Sequence, residues 1–113
     1  NQNNDRVFGL EGNDRAFGGT NNDVVDGGVG FDTLFGGTGR DTFVLRPGYD
    51  RDIVEDFETG DRLNFRSFNV TKQQVLQNGQ QDGNTFKFDM GGGDQLWLRN
   101  TTRSEIDNGD IFV

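Results

Sequence analysis

An aspartate stands at every ninth position from Asp5 through Asp14, Asp23, Asp32 and Asp41 to Asp50. Two complete nonapeptides surround the ladder, GGVGFDTLF (27–35) and GGTGRDTFV (36–44). So strict a period makes nine residues the structural unit, and such units bury their apolar positions only by stacking on one another. Counting from the first glycine, position eight reads Val7, Ala16, Val25, Leu34 and Phe43, always apolar beside a mostly polar position seven. A three-residue strand with its middle side chain turned inward fits that pattern. Position four reads Asn3, Gly12, Asn21, Gly30 and Gly39. Glycine, with asparagine second, is what a left-handed backbone conformation selects.

Each unit is then a six-residue turn and a short strand, half of one coil. Two units complete a coil, and successive coils lie about 4.8 Å apart. Units i and i+2 share a side, so Asp5, Asp23 and Asp41 line one edge while Asp14 and Asp32 line the other, with Asp50 next in the count. Carboxylates stacked this closely repel unless a cation lies between them. Composition narrows the ion. The chain has no cysteine and no histidine but 19 acidic residues and 18 glycines, an all-oxygen donor set of the kind that hard cations, calcium above all, prefer. With 30% hydrophobic residues in 113, a conventional core is thin, and small domains of this kind need an added source of stability.

These repeats resemble the RTX family, the haemolysin-type calcium-binding repeats G-G-x-G-x-D-x-U-x. GGTNNDVVD (18–26) departs from the motif only at Asn21, and GLEGNDRAF (9–17) at Leu10. The resemblance implies an all-β fold, a parallel β-roll with a small β-rich C-terminal cap, and two to four calcium ions held between same-side turns. It also implies a ligand scheme. One ion takes Leu10, Gly12 and Asp14 with Gly27, Val29 and Asp32; a second takes Gly19, Asn21 and Asp23 with Gly36, Thr38 and Asp41. A third uses Asn1, Asn3 and Asp5 with Gly18, Thr20 and Asp23. A fourth runs from Gly28, Gly30 and Asp32 to Asp50, where Leu45, Arg46 and Pro47 replace the glycine turn. Divalent ions there would offset much of the net charge of −8. Without them the glycine-rich repeats are expected to be disordered.

After Val44 the glycines thin out, giving a division into 1–48, the calcium-binding roll, and 49–113, a capping and secretion-signal module. Ile53, Val54 and Phe57, then Leu63 and Phe65, suggest two strands joined by a turn at Thr59-Gly60-Asp61. TFKFD (85–89) and QLWLR (95–99) alternate across a glycine-rich MGGGD, the pattern of a hairpin. Thr71 is placed to cap a short helix through Gln77. These elements are expected to cover the open sheet edge of the roll. The stretch IVEDFETGDRL (53–63) is similar to the segment that follows the repeats in serralysin-type proteases, and Asp110-Ile111-Phe112-Val113 to the acidic and apolar terminus of type I secretion substrates. A terminal strand fits those four residues equally.

The acidic balance excludes nucleic acid as a partner, and no apolar run is long enough for membrane insertion as a helix. With no His, no Cys and only Ser67 and Ser104, no nucleophile–base pair can be assembled, so the segment is expected to be non-catalytic. Starting inside a repeat at Asn1, it is expected to be the monomeric C-terminal part of a larger secreted, extracellular protein. Its expected partners are calcium and the type I secretion machinery. The alternative is a polysaccharide-binding module similar to the R-modules of mannuronan epimerases, or part of an adhesin. Trp97 lies out of phase with Leu96 and Leu98 and is expected to pack on another element. Phe17 and Phe35 should stack on an outer face beneath the cap or a neighbouring domain.

Overall fold

The computed structural model describes residues 6–9, 12–58, 60–106 and 110–113. Two sheets face each other across the core. The five-stranded sheet holds β1 (Arg6–Phe8), β3 (Val24–Asp26), β5 (Thr42–Val44), β7 (Arg62–Asn64) and β11 (Ile111–Phe112), in that order and all parallel. The second has the order β2 (Arg15–Gly19), β4 (Asp32–Gly37), β6 (Arg51–Val54), β10 (Asp94–Arg99), β9 (Thr85–Gly91), β8 (Gly79–Asp82). Its first four strands are parallel, and β9 and β8 return antiparallel. Successive strands of the repeat region alternate between sheets, as a coil of two nonapeptides requires. This is the expected parallel β-roll with a β-rich cap.

The inward position eight builds the core. Val7, Val25, Phe43, Leu63 and Ile111 form one row across the first sheet. Ala16, Leu34, Val54, Leu98 and Phe86 form the facing row. Val25, Leu34, Phe43, Val54, Leu63, Leu98 and Ile111 are all fully buried. At about 25 cal/mol per Å² of apolar surface removed from water, these rows are the main source of packing energy. Gly12, Asn21, Gly30 and Gly39 all have positive φ (106°, 73°, 116° and 101°), the left-handed turn that position four selects.

The cap extends the sheets rather than wrapping them. β10 adds to β6 in parallel and then pairs with β9 as the expected hairpin. Lys72–Gln77 form the one α-helix among the described residues, with Thr71 as N-cap in a capping box with Gln74. The two strands expected on either side of the Thr59-Gly60-Asp61 turn exist as β6 and β7, but they lie in opposite sheets, because this connection is another half-coil. Thr59 itself lies outside the described residues. Among the described residues no helix is long and apolar enough to cross a membrane.

Edge-to-edge addition leaves the outer faces open, so the cap does not cover Phe17 and Phe35. Their rings stack with centroids 4.6 Å apart and 7° between planes, with the Arg15 guanidinium over both and Phe17 57% exposed. Trp97 does turn away from Leu96 and Leu98. The Arg51 guanidinium lies 4.5 Å and the Lys87 ammonium 4.0 Å from its ring centroid.

Candidate metal centre

The turns stack with an 18-residue offset, and each level grips the one before it. The Thr38 N–H donates to the Gly19 carbonyl (3.1 Å) and the Gly30 N–H to the Tyr49 carbonyl (3.2 Å). Position five adds a side-chain rung that the sequence pattern did not flag. Asn13 Oδ1 accepts the Phe31 N–H (3.1 Å), and Asn22 Oδ1 accepts the Arg40 N–H (2.7 Å). A short amide at that position can reach one level up without bending the backbone.

The aspartates form two ladders in which each carboxylate holds the backbone of the level beneath. Asp32 Oδ1 accepts the Asp14 N–H (2.7 Å), and Asp52 Oδ1 the Asp32 N–H (3.3 Å). On the opposite edge Asp41 Oδ1 accepts the Asp23 N–H (2.9 Å), and Asp61 Oδ1 the Asp41 N–H (2.9 Å). Asp23, Asp32, Asp41, Asp52 and Asp61 are at most 1% exposed. The second oxygens of Asp32, Asp41 and Asp52 are buried and accept no hydrogen bond. Leaving a buried charged oxygen without a partner is costly.

Those oxygens explain the first glycine of the motif. A Cβ on Gly27 would lie 2.8 Å from Asp32 Oδ2, and one on Gly36 would lie 2.4 Å from Asp41 Oδ2. Position one is therefore kept clear for the carboxylate of its own turn. Among the described residues no three acidic side chains converge to hold an ion by themselves. An ion here would draw on two carboxylates and on turn carbonyls, which still have acceptor capacity after one hydrogen bond. Buried unspent oxygens and an all-oxygen donor set fit a hard cation such as calcium.

Electrostatics agree with that demand. Burial, with Asp61 and Asp23 nearby, pushes the Asp41 carboxyl up to about 6. Burial and the neighbouring Asp32 push Asp52 up to about 9. Asp32 and Asp61 are raised by burial as well. Burial of this kind favours the protonated form unless a cation stands beside the carboxylate.

The structure brings together most of the expected positions. Gly12 and Asp14 lie beneath Gly27, Val29, Gly30 and Asp32, and Gly19, Asn21 and Asp23 beneath Gly36, Thr38 and Asp41. Gly28 donates its N–H to Asp26 Oδ1 (3.1 Å). Gly18 and Thr20 are in place at the first turn of the second edge, but their expected partners Asn1, Asn3 and Asp5, like Leu10, lie outside the described residues.

Asp50 does not continue the ladder. β6 pairs with β4 so that Asp52, not Asp50, lies opposite Asp32. Asp50 instead takes a left-handed conformation (φ 65°) and gives its N–H to Asp94 Oδ1 (3.2 Å). The turn from Leu45 carries two extra residues, which moves the in-register aspartate from the count of nine to Asp52. Asp94 also accepts the Gly48 N–H, and Asp56 accepts those of Gly36 and Gly37 (2.8 and 2.9 Å). These acids satisfy turn amides that have no further nonapeptide above them. The ladder of the first edge ends where Leu96 takes the place next to Asp52.

The chain matches the RTX calcium-binding nonapeptide repeat model in four copies, at residues 1–34 and 17–51. No curated protein sequence matches it. Among solved structures it is similar to the extracellular lipase LipA from Serratia marcescens, with a TM-score of 0.70 and 20% identity over 92% of this chain. That likeness is one of fold, and the chain spans 20% of the lipase's length. Residues 1–51 are therefore similar to the RTX calcium-binding nonapeptide repeats, and the match covers somewhat less than half of the chain.

Proposed function

We propose that this chain is a calcium-triggered folding module of a secreted protein and serves type I export of the polypeptide to which it belongs. The observation that carries the proposal is the set of buried, unspent carboxylate oxygens on Asp32 and Asp41, each beside a glycine turn. At low calcium the ladders repel and the repeats stay unfolded. Calcium binds only the folded form and draws the equilibrium toward it. Extracellular modules commonly bind calcium at about 10⁻⁴–10⁻³ M, so such a chain crosses the envelope unfolded and folds outside. In this scheme residues 1–48 hold the nonapeptide turns and residues 49–113 cap them, with Ile111–Phe112 doubling as the last strand and part of the export signal. The ligands are those of the scheme above, with Asp14, Asp23, Asp32 and Asp41 as the carboxylates. The extracellular location of LipA supports the same assignment.

The test is export from cells carrying a type I apparatus. The chain is expected in the medium, protease-resistant when the medium contains calcium and degraded when calcium is chelated. Equal resistance in both media would sink the proposal.

An anionic polysaccharide is the second reading. It draws on the outer face of the six-stranded sheet, where a cavity of about 300 Å³ is lined by Asn78, Gln80, Lys87, Asp89, Gln95 and Trp97. It is the weaker of the two, because Arg51 and Lys87 already lie over the indole that a sugar ring would stack on.

A further inference from the structure

One edge of the roll pairs a motif aspartate, Asp32, with an acid that the nonapeptide repeats do not include. Asp52 lies outside the repeats matched by the family model, which end at residue 51, yet it sits opposite Asp32 in the β4–β6 register. Asp52 is 0% and Asp32 1% exposed. Asp52 Oδ1 accepts the Asp32 N–H, and the Oδ2 atoms of both residues are buried with no hydrogen-bond partner. Their carboxyls interact directly, and the other charges bearing on Asp52 and Asp32 include further acids, Asp26 and Asp14. Arg46 pairs with Asp26, at 3.8 Å, and among the described residues neither Asp32 nor Asp52 has an ion-pair partner. Two buried carboxyls in contact need either a shared proton or a cation between them.

We propose that Asp32 and Asp52 hold an additional hard divalent cation, calcium in the extracellular setting, one level above the nonapeptide repeats. Turn carbonyls complete its oxygen shell. The inference rests on the calcium-binding reading of the repeats and extends it into the cap. Its consequence is that docking of β10 onto β6 becomes calcium-dependent, since Asp52 lies within the strand that receives the cap. The other edge differs. Asp61 has a hydrogen-bond partner on each oxygen, the Asp41 N–H on Oδ1 and the Glu58 N–H on Oδ2 (2.9 Å), so it locks a turn and presents no unpartnered oxygen that calls for an ion.

The test is calcium stoichiometry of the full chain by equilibrium dialysis. Asp52→Asn is expected to bind one ion fewer than the wild type, and Asp61→Asn the same number. A full count in folded Asp52→Asn overturns the site while leaving the nonapeptide sites intact. A wild-type chain that binds no calcium overturns the underlying reading instead. Should Asp52→Asn fail to fold, the carboxyl carbon of Asp52 in the calcium-saturated wild type decides by NMR. An ion-bound carboxylate stays ionised from pH 5 to pH 8, whereas a protonated Asp52 at neutral pH overturns the proposal.

Discussion

Gly30→Ala is expected to cost roughly 3 kcal/mol or more, while Gly12→Ala costs about 1 kcal/mol, the usual penalty for an L-residue in left-handed backbone. Both glycines occupy position four with positive φ, 116° and 106°, so propensity alone predicts equal losses. Stacking separates them. A Cβ on Gly30 would fall 2.1 Å from the Gly12 carbonyl oxygen and 2.8 Å from its carbon. Both are backbone atoms fixed by the level below, so the clash can be relieved only by prising two coils apart. A Cβ on Gly12 meets no described atom within 4 Å. Urea midpoints in saturating calcium measure both variants. Equal losses would mean that the coils are not stacked this closely.

Asp41→Asn is expected to change sign with calcium. In calcium about a hundredfold above the dissociation constant it removes a ligand and should destabilise by about 2–3 kcal/mol, the value of one saturated site. A melting temperature lower by about 10 °C follows for a domain of this size. In chelator the same variant should fold more readily. Asparagine keeps an oxygen for the Asp23 N–H but removes a buried charge whose pKa is pushed up to about 6, worth on the order of 1–2 kcal/mol at neutral pH. The readout is the concentration of a stabilising osmolyte needed to fold the chelated chain. Destabilisation under both conditions would show that Asp41 is a structural acceptor only.

The same carboxyls give the chelated chain an inverted pH response. Asp41 at about 6 and Asp52 at about 9 hold protons in the folded state that the unfolded chain, near 3.8, has released. Folding stability is therefore full below pH 4 and lost as pH rises through those values. Calcium reverses the trend, because protons compete with it for the same oxygens.

Much of the roll was legible in the residues. The period gave the coil, position eight the inward rows from Val7 to Phe43, and position four the left-handed turns. What the count of nines could not give was the continuation. The turn after Leu45 is two residues longer, so counting selects Asp50, while the register selects Asp52 and then Asp61. A different signal was present. Asp-x-apolar stands at Asp14-Arg15-Ala16, Asp32-Thr33-Leu34, Asp52-Ile53-Val54 and Asp61-Arg62-Leu63, each with the carboxylate at a turn end and the third residue buried. A strand's period of two survives a change in turn length, whereas the nine-residue period does not. Asp26 was likewise illegible. It fills position nine, where the flanking repeats carry Phe17 and Phe35, and its donor, the Tyr49 hydroxyl 23 residues further on (3.3 Å), cannot be foreseen from the repeat.

Calcium titration of the chelated chain, followed by far-UV circular dichroism near neutral pH, tests most directly whether the ion completes this fold. A disordered spectrum in chelator that converts cooperatively to a β spectrum as calcium is added is the predicted result. The same β spectrum in chelator and in calcium would contradict it.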